Sequence, residues 1–565
     1  MNLQKAHLLR SSWIFVLISI LTLLWFGSLN YRHLIPSDEG RYAEIAREMA
    51  VTGDWITPRY NDYKYFEKPP LQAWASAIIF KTFGLGNWQA RLWSGLTSFL
   101  SILAIGFTAG RLYGRRTGWL ASIILASSPI WVLGGHFNSL DMGLSGFLCF
   151  ALCALLLAQN ATENSTSETW WMLCCWSAMG LSVLSKGLVG IVLPGLVLLI
   201  YALTARDFKI WRRLHWFKGL SLFLLITAPW FILISIKNPE FPHFFFIKEH
   251  FERFTTDEHR RVAPWFFFFP LLIVGFLPWL LQLPKGIIES WKERRDSTQT
   301  FKPLWLCLVW AVFIFAFFSQ SHSKLPGYII PIFPALAIIA AVALEKSCSN
   351  HDISRLWQFQ TGGWGILFFA GFAALPQIAK TGEVYEAALY AQYAYWIFAA
   401  LSVAGIACFL AFLLRHKSKL ASVLVYALGF LLMALIAGMG HESVGRLLSG
   451  FDLATQVKPF VKADAPFYSV NTLDHTVPFY LEKSMTMVAF PDELAFGIEQ
   501  EPQKWLPTIA EFTRRWKSRE EPDALALMTP QTYASFKAEN LPMQLIAQDP
   551  LRVVVKKLPL SVPKE

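Results

Sequence analysis

The sequence predicts an α-helical polytopic membrane protein of about thirteen transmembrane helices with a small extracytoplasmic α/β domain at its C-terminal end. Three observations carry that expectation. The chain of 565 residues is 54% hydrophobic, with 24 Trp, 47 Phe and a mean hydropathy of +0.40. Apolar segments of spanning length recur along it. After Gly440 the long apolar runs stop and charge rises.

The apolar runs are 13–29, 90–109, 119–133, 140–158, 170–184, 188–203, 220–236, 265–283, 304–318, 326–344, 363–376, 394–414 and 421–437. The first follows Lys5 and Arg10 and is too long for a signal peptide, so it reads as an anchoring span. The stretch Leu71–Phe83 is apolar but short and reads as partly re-entrant or interfacial. Two units follow: a membrane domain over 1–439 with a large first loop at 31–89, and an α/β domain over 440–565. In the second, Pro466–Val470 and Met485–Phe490 read as strands. Ile509–Lys517 and Thr532–Ala538 read as helices, and Leu545–Lys556 as a hairpin around Asp549-Pro550.

The formal charge of +11 does not point to nucleic acid. Its Lys and Arg cluster in short loops between apolar runs, which is the orientation signal of a membrane protein and suits anionic lipid headgroups. Arg111, Arg115 and Arg116 form one set; Arg206, Lys209, Arg212 and Arg213 another; Lys292, Arg294 and Arg295 a third; Arg415, Lys417 and Lys419 a fourth. All fall on the side of the N-terminus, which the rule places in the cytoplasm. The seven Cys show no metal-ligand spacing. No Walker A or glycine-rich dinucleotide fingerprint is present, so no nucleotide cofactor is expected.

The chain is organised around Ser37–Pro70. Ser37 reads as an N-cap, with Asp38 and Glu39 in the first turn of a helix that Gly53 ends. Tyr42, Ile45, Ala46 and Met49 fall at i, i+3, i+4 and i+7, the stripe of an amphipathic helix at the membrane surface. Asp38 and Glu39 are either a helix N-terminal charge pair or an acid at the mouth of a membrane cavity. Glu67-Lys68-Pro69-Pro70 is either a solvated loop or a rigid turn presenting both charges. Asp141 either caps the helix it opens or faces a ligand. Lys186, between two apolar runs with almost no loop, either snorkels or meets an anion. His250 and Arg253 read as interfacial charge, or as a metal ligand and a phosphate grip. Lys324 and Tyr328 enter the tenth run as anchors or as site residues.

These residues carry a resemblance. Asp38-Glu39-x-Arg41-Tyr42-Ala43-Glu44-Ile45, Gly53-Asp54-Trp55 and Tyr65-Phe66-Glu67-Lys68-Pro69 resemble the lipid A aminoarabinose transferase family, among membrane glycosyltransferases of the C-type fold. Glu249-His250-Phe251-x-Arg253-Phe254 and Lys324-Leu325-Pro326-x-Tyr328-Ile329 are similar to it as well. Pro70 extends Glu-Lys-Pro to Glu-Lys-Pro-Pro, a form of the wider set of undecaprenyl-phosphate-sugar transferases. The resemblance implies an undecaprenyl-phosphate aminoarabinose donor, a lipid A or other lipopolysaccharide acceptor, and a periplasmic site on a bacterial inner membrane, with polymyxin resistance as the outcome. It implies Asp38 as the essential acid, with Glu39 and Asp141 as further catalytic candidates. Lys68, Lys186, Arg253, Lys324 and Tyr328 are implied for substrate and phosphate, and Glu67 and His250 for a divalent metal. Two other readings stand beside it: transfer of another undecaprenyl-phosphate-linked sugar, and a flippase for lipid-linked sugars. A flippase predicts charges at the bilayer midplane, whereas these charges sit at span ends on one face.

Overall fold

The computed structural model describes residues 16–252, 263–298, 300–349, 353–378, 380 and 385–558. Helical segments occupy all thirteen apolar runs. Seven helices are long and apolar enough to cross a membrane, and two bent pairs raise that number to nine. The other four runs hold Val16–Gly27 (α1), Thr166–Lys186 (α8), Val189–Ala205 (α9) and Ile353–Gly371, which are shorter or less apolar. Length and composition therefore support nine crossings among the described residues, fewer than the expected thirteen.

In chain order the elements that build the site are Asp38–Thr52 (α2), Leu71–Phe83 (α3), Asn87–Tyr113 (α4), Arg115–Ala126 (α5), Pro129–Gly135 (α6) and Leu140–Asn160 (α7). After α8 and α9 comes Trp216–Lys237 (α10). The bends have a local cause. The α5–α6 pair turns by 66° at Ser127-Ser128-Pro129, and Phe268–Gly275 turns by 87° into Leu277–Arg295 at Leu277-Pro278. Proline lacks the amide a continuing helix needs, and it is accepted at the first turn of the next one.

The basic loops gather at one end of the bundle. Arg213 donates to the carbonyls of Gln159 and Ala161, the Tyr113 hydroxyl to Glu293, and Arg294 to the carbonyl of Thr204. The first loop and the C-terminal domain lie at the other end. α7 is enclosed there and along its length, with nearly every residue buried. α3 keeps the expected bounds and exposes Ile78 and Phe83 while burying Ala77 and Phe80, a one-sided helix.

The C-terminal domain holds a five-stranded mixed sheet. Its strands are Phe467–Val470 (β3), Thr486–Val488 (β4), Leu525–Met528 (β5), Met543–Gln548 (β6) and Val553–Lys557 (β7), in the order β4-β3-β5-β7-β6. β3 runs parallel to β4 and β5, and β7 antiparallel to β5 and β6. Phe512, Trp516 and Phe536 cover one face and Leu453, Val457, Val477 and Leu481 the other. The expected strands, helices and hairpin are all found. The central strand β5 was not expected: four consecutive apolar residues without alternation are what a strand buried on both faces shows.

This domain is docked onto the first loop. Within that loop Arg59–Tyr60 (β1) and Tyr63–Lys64 (β2) form a small hairpin. The Tyr480 hydroxyl accepts from the Leu34 amide and donates to Asn87, while Asn61 exchanges hydrogen bonds with the backbone of Met485. Arg59 pairs with Glu501 at 3.0 Å. Gly40 has no side chain to give: a Cβ there would lie 2.2 Å from the His475 carbonyl oxygen.

Candidate active site

α2 differs from its expected form. Ser37 makes no side-chain cap bond, and residues 39–49 are all buried. The helix is enclosed between the membrane domain and the C-terminal domain rather than lying on a membrane surface. Its polar residues are accordingly paired, as buried charges must be. Arg47 grips Glu44 through two nitrogens, and Glu48 accepts from the Asp62 amide.

Adjacent residues on a helix point about 100° apart, and this separates Asp38 from Glu39. Glu39 turns into the protein. Arg91 donates to both its oxygens at 2.7 and 3.0 Å, Arg32 adds a bond at 2.7 Å, and the Asn138 amide another at 3.1 Å. Burial alone would raise this carboxyl, but Arg32 and Arg91 outweigh it and hold it down at about 2. Glu39 is therefore a structural carboxylate, against the expectation that it is catalytic. Asp38 instead lines a cavity, with its side chain partly open and Arg41 3.7 Å away.

Asp141 lines the same cavity from the first turn of α7. It is ion-paired with Lys186, at the end of α8, and the Lys186 ammonium lies over the Tyr328 ring at 4.4 Å. The approach depends on Gly327: a Cβ there would lie 2.5 Å from Asp141 Oδ2. Asp141, Lys186 and Tyr328 thus meet from three separate elements.

Lys68 pairs with Glu249 at 3.1 Å and lies 4.0 Å from Glu67. Tyr42, read from the sequence only as part of an apolar stripe, stands among the acids. Burial and Asp38 push its phenol well above its ordinary value against the pull of Arg41, and Glu67 and Asp141 add to the rise. Lys324 is not in this group. It donates to the carbonyls of Ala263 and Ser321, which corrects its expected place on the substrate. Arg253 and the side chain of His250 lie outside the described residues.

The cavity measures 570 Å³. Its walls are apolar, drawn from Ile130, Leu133, Leu271, Val274, Ile330 and Leu435, and its polar rim includes Arg32, Asp38, Arg91 and Asp141. An apolar pocket with charges at one end suits a lipid chain carrying a polar head. Sequence reading missed Arg32 and Arg91. Arg91 did carry a signal, since it is a lone cation at the start of an apolar run.

A divalent ion was expected on Glu67 and His250, and the side chain of His250 lies outside the described residues. No group of three or more His, Cys, Asp or Glu side chains is placed to hold a metal among the described residues. The carboxylates of Glu67 and Glu249 both lie beside the Lys68 ammonium, which competes for them.

Two family profiles match the chain: "Aminoarabinose transferase C-terminal domain" over residues 453–557, and "Dolichyl-phosphate-mannose-protein mannosyltransferase" over residues 67–233. An undecaprenyl phosphate-alpha-4-amino-4-deoxy-L-arabinose arabinosyl transferase from Pectobacterium carotovorum is 36% identical over 386 residues, 66% of this chain and 67% of that one. The same-named protein of Erwinia tasmaniensis is 35% identical over 55% of this chain, and the match spans only 56% of that relative's length. The crystal structure of ArnT from Cupriavidus metallidurans bound to undecaprenyl phosphate superposes with a TM-score of 0.91 at 43% identity. It covers 97% of this chain and 98% of that one.

Fold and site together define a multi-pass membrane glycosyltransferase of the C-type fold, with a mixed-sheet domain closing over its first loop. The chain belongs to the undecaprenyl phosphate-alpha-4-amino-4-deoxy-L-arabinose arabinosyl transferase family.

Proposed function

We propose that this protein transfers 4-amino-4-deoxy-L-arabinose from undecaprenyl phosphate to a phosphate of lipid A, at the periplasmic face of the inner membrane, and so confers resistance to cationic peptides such as polymyxin. The observation that carries this reading is the apolar cavity that ends on Asp38 and Asp141. The undecaprenyl chain fills the apolar walls and its phosphate reaches the charged rim.

The reaction is displacement at the anomeric carbon with inversion. A lipid A phosphate oxygen attacks that carbon, the bond to the donor phosphate oxygen breaks, and the electron pair leaves on undecaprenyl phosphate. Charge therefore builds on the leaving phosphate, and a cation set at the rim stabilises it most in the transition state. Lys186, held in place by Asp141 and Tyr328, supplies that charge, and Lys68 supports it. The attacking phosphate is already ionised and needs no general base. Asp38 pairs with the cationic amine of the sugar and fixes the face presented to attack. Transfer measured in excess chelator decides whether a divalent ion takes part. A loss reversed by one added divalent ion would restore the metal to the mechanism.

The test is mass spectrometry of lipid A from a polymyxin-sensitive Gram-negative host lacking its own transferase. An aminoarabinose-sized gain that disappears with Asp38→Ala, at matched protein level, supports donor, acceptor and site together. A different sugar mass would keep the chemistry and change the substrate. Unmodified lipid A would overturn the assignment of the acceptor.

A further inference from the structure

Glu493 belongs to the C-terminal domain, in the turn Asp492–Leu494 before the helix Ala495–Gln500. That turn is wedged against the site. Phe496, three residues on, packs on Phe244 at 3.9 Å and on Phe66 at 5.7 Å, beside the Glu67-Lys68 motif. A Cβ on Gly497 would lie 2.5 Å from the Lys64 carbonyl oxygen, so the contact is with backbone.

Arg41 stands between this turn and the cavity. One guanidinium nitrogen is 2.9 Å from Glu493, while another is 3.7 Å from Asp38 and 3.4 Å from the Tyr65 hydroxyl. The Arg41 side chain is only 5% exposed, so water does little to screen the choice between the two acids. The closer partner is Glu493.

We propose that Glu493 is a positioning residue that holds the Arg41 guanidinium off Asp38, leaving the Asp38 carboxylate free for substrate. The C-terminal domain then forms part of the active-site wall. This rests on the transferase reading above, in which Asp38 meets the sugar. Asp38 and Glu493 compete for one cation, and loss of charge on Glu493 hands Arg41 to Asp38.

The surroundings of Glu493 support that exchange. Arg41 and Asp38 face it from α2, Glu67 and Tyr65 from the first loop, and His475 and Asp492 from its own domain. Burial pushes its carboxyl up to about 7; Arg41 pulls it back, and Glu67, Asp492 and Asp38 add to the rise. Its second oxygen has no hydrogen-bond partner among the described residues. Protonation near neutral pH therefore releases Arg41, and transfer should fall as pH drops through about 7.

The experiment uses the full chain in detergent, assayed for sugar transfer from an undecaprenyl-phosphate donor between acid and alkaline pH. Glu493→Gln is expected to lower kcat about tenfold with donor KM unchanged, and to flatten the limb near neutrality. Wild-type kcat with the limb intact would overturn the proposal. A second readout needs no turnover: alkylation of Asp38→Cys by iodoacetamide, with and without Glu493→Gln. A thiolate beside a released Arg41 forms at lower pH, so the double variant should react several-fold faster at neutral pH. Equal rates would overturn the positioning role. A wild-type protein that transfers no sugar would overturn the transferase reading alone, and the thiol pair would still decide whether Glu493 governs Arg41.

Discussion

At the scale of single residues, two adjacent acids do different work. Glu39 is clamped by two arginines, and its carboxyl is held at about 2. Because the folded pKa lies below the ordinary carboxylate value, its stabilising effect is complete above that value and is lost as pH falls towards 2. Glu39→Ala should lower the melting temperature at neutral pH, with about 3 kcal/mol or more at stake because two buried cations lose their partner. The difference from wild type should shrink below about pH 4.5. Lys186 and Lys324 form a second contrast. On the proposed mechanism, Lys186→Ala should reduce transfer by at least a hundredfold, since the cation assigned to the leaving phosphate is gone. Lys324→Ala should act on stability, because its ammonium caps two carbonyls. Comparable losses of kcat in both would refute the distinction. The meeting of Asp141, Lys186 and Tyr328 joins polar residues that the sequence shows at the ends of apolar runs, and Asp38 stands in the polar stretch after the first run. The meeting of Arg41 and Glu493 was not legible there, because it joins residues 452 positions apart and no local pattern records it.

At the scale of elements, periodicity served where one face is buried and failed where all faces are. α3 was found to the residue, and the β6–β7 hairpin within a few positions. α2 was read as amphipathic from its apolar stripe, yet its polar faces are covered too, by Arg91 on one side and the His475 segment on another. Burial by a distant domain leaves no trace in a helix's own spacing. The turn at Pro326-Gly327 is the element on which the site's geometry depends most. Gly327→Ala puts a methyl against the Asp141 carboxylate and must move either the turn or the acid. Overpacking of this kind costs about 1–3 kcal/mol. The protein should still accumulate in the membrane while transfer is lost, since Lys186 and Tyr328 no longer meet Asp141 in the same place. Wild-type transfer at a wild-type melting temperature would show that the close approach is dispensable.

At the scale of the whole molecule, the two domains meet through apolar clusters as well as polar contacts: Met487, Leu494 and Ile498 pack with Tyr42, Ile45 and Leu140, and Phe479 packs with Leu34, Ala46 and Phe80. The C-terminal sheet has apolar residues on both faces, each covered by its own helices. The surface it presents to the first loop adds hydrogen bonds and ion pairs to those apolar contacts: Tyr480 to Leu34, Asn61 to Met485, Arg59 to Glu501 and Arg41 to Glu493. A domain whose sheet is covered on both faces by its own helices should fold alone. Residues 442–558, expressed without the membrane part, should therefore give a soluble protein with a cooperative thermal transition by circular dichroism. Loss of the transition would show that the sheet needs the membrane domain to hold its packing. A folded fragment would place the domain's contribution to transfer in the orientation of Glu493 and its neighbours rather than in propping up the helical bundle.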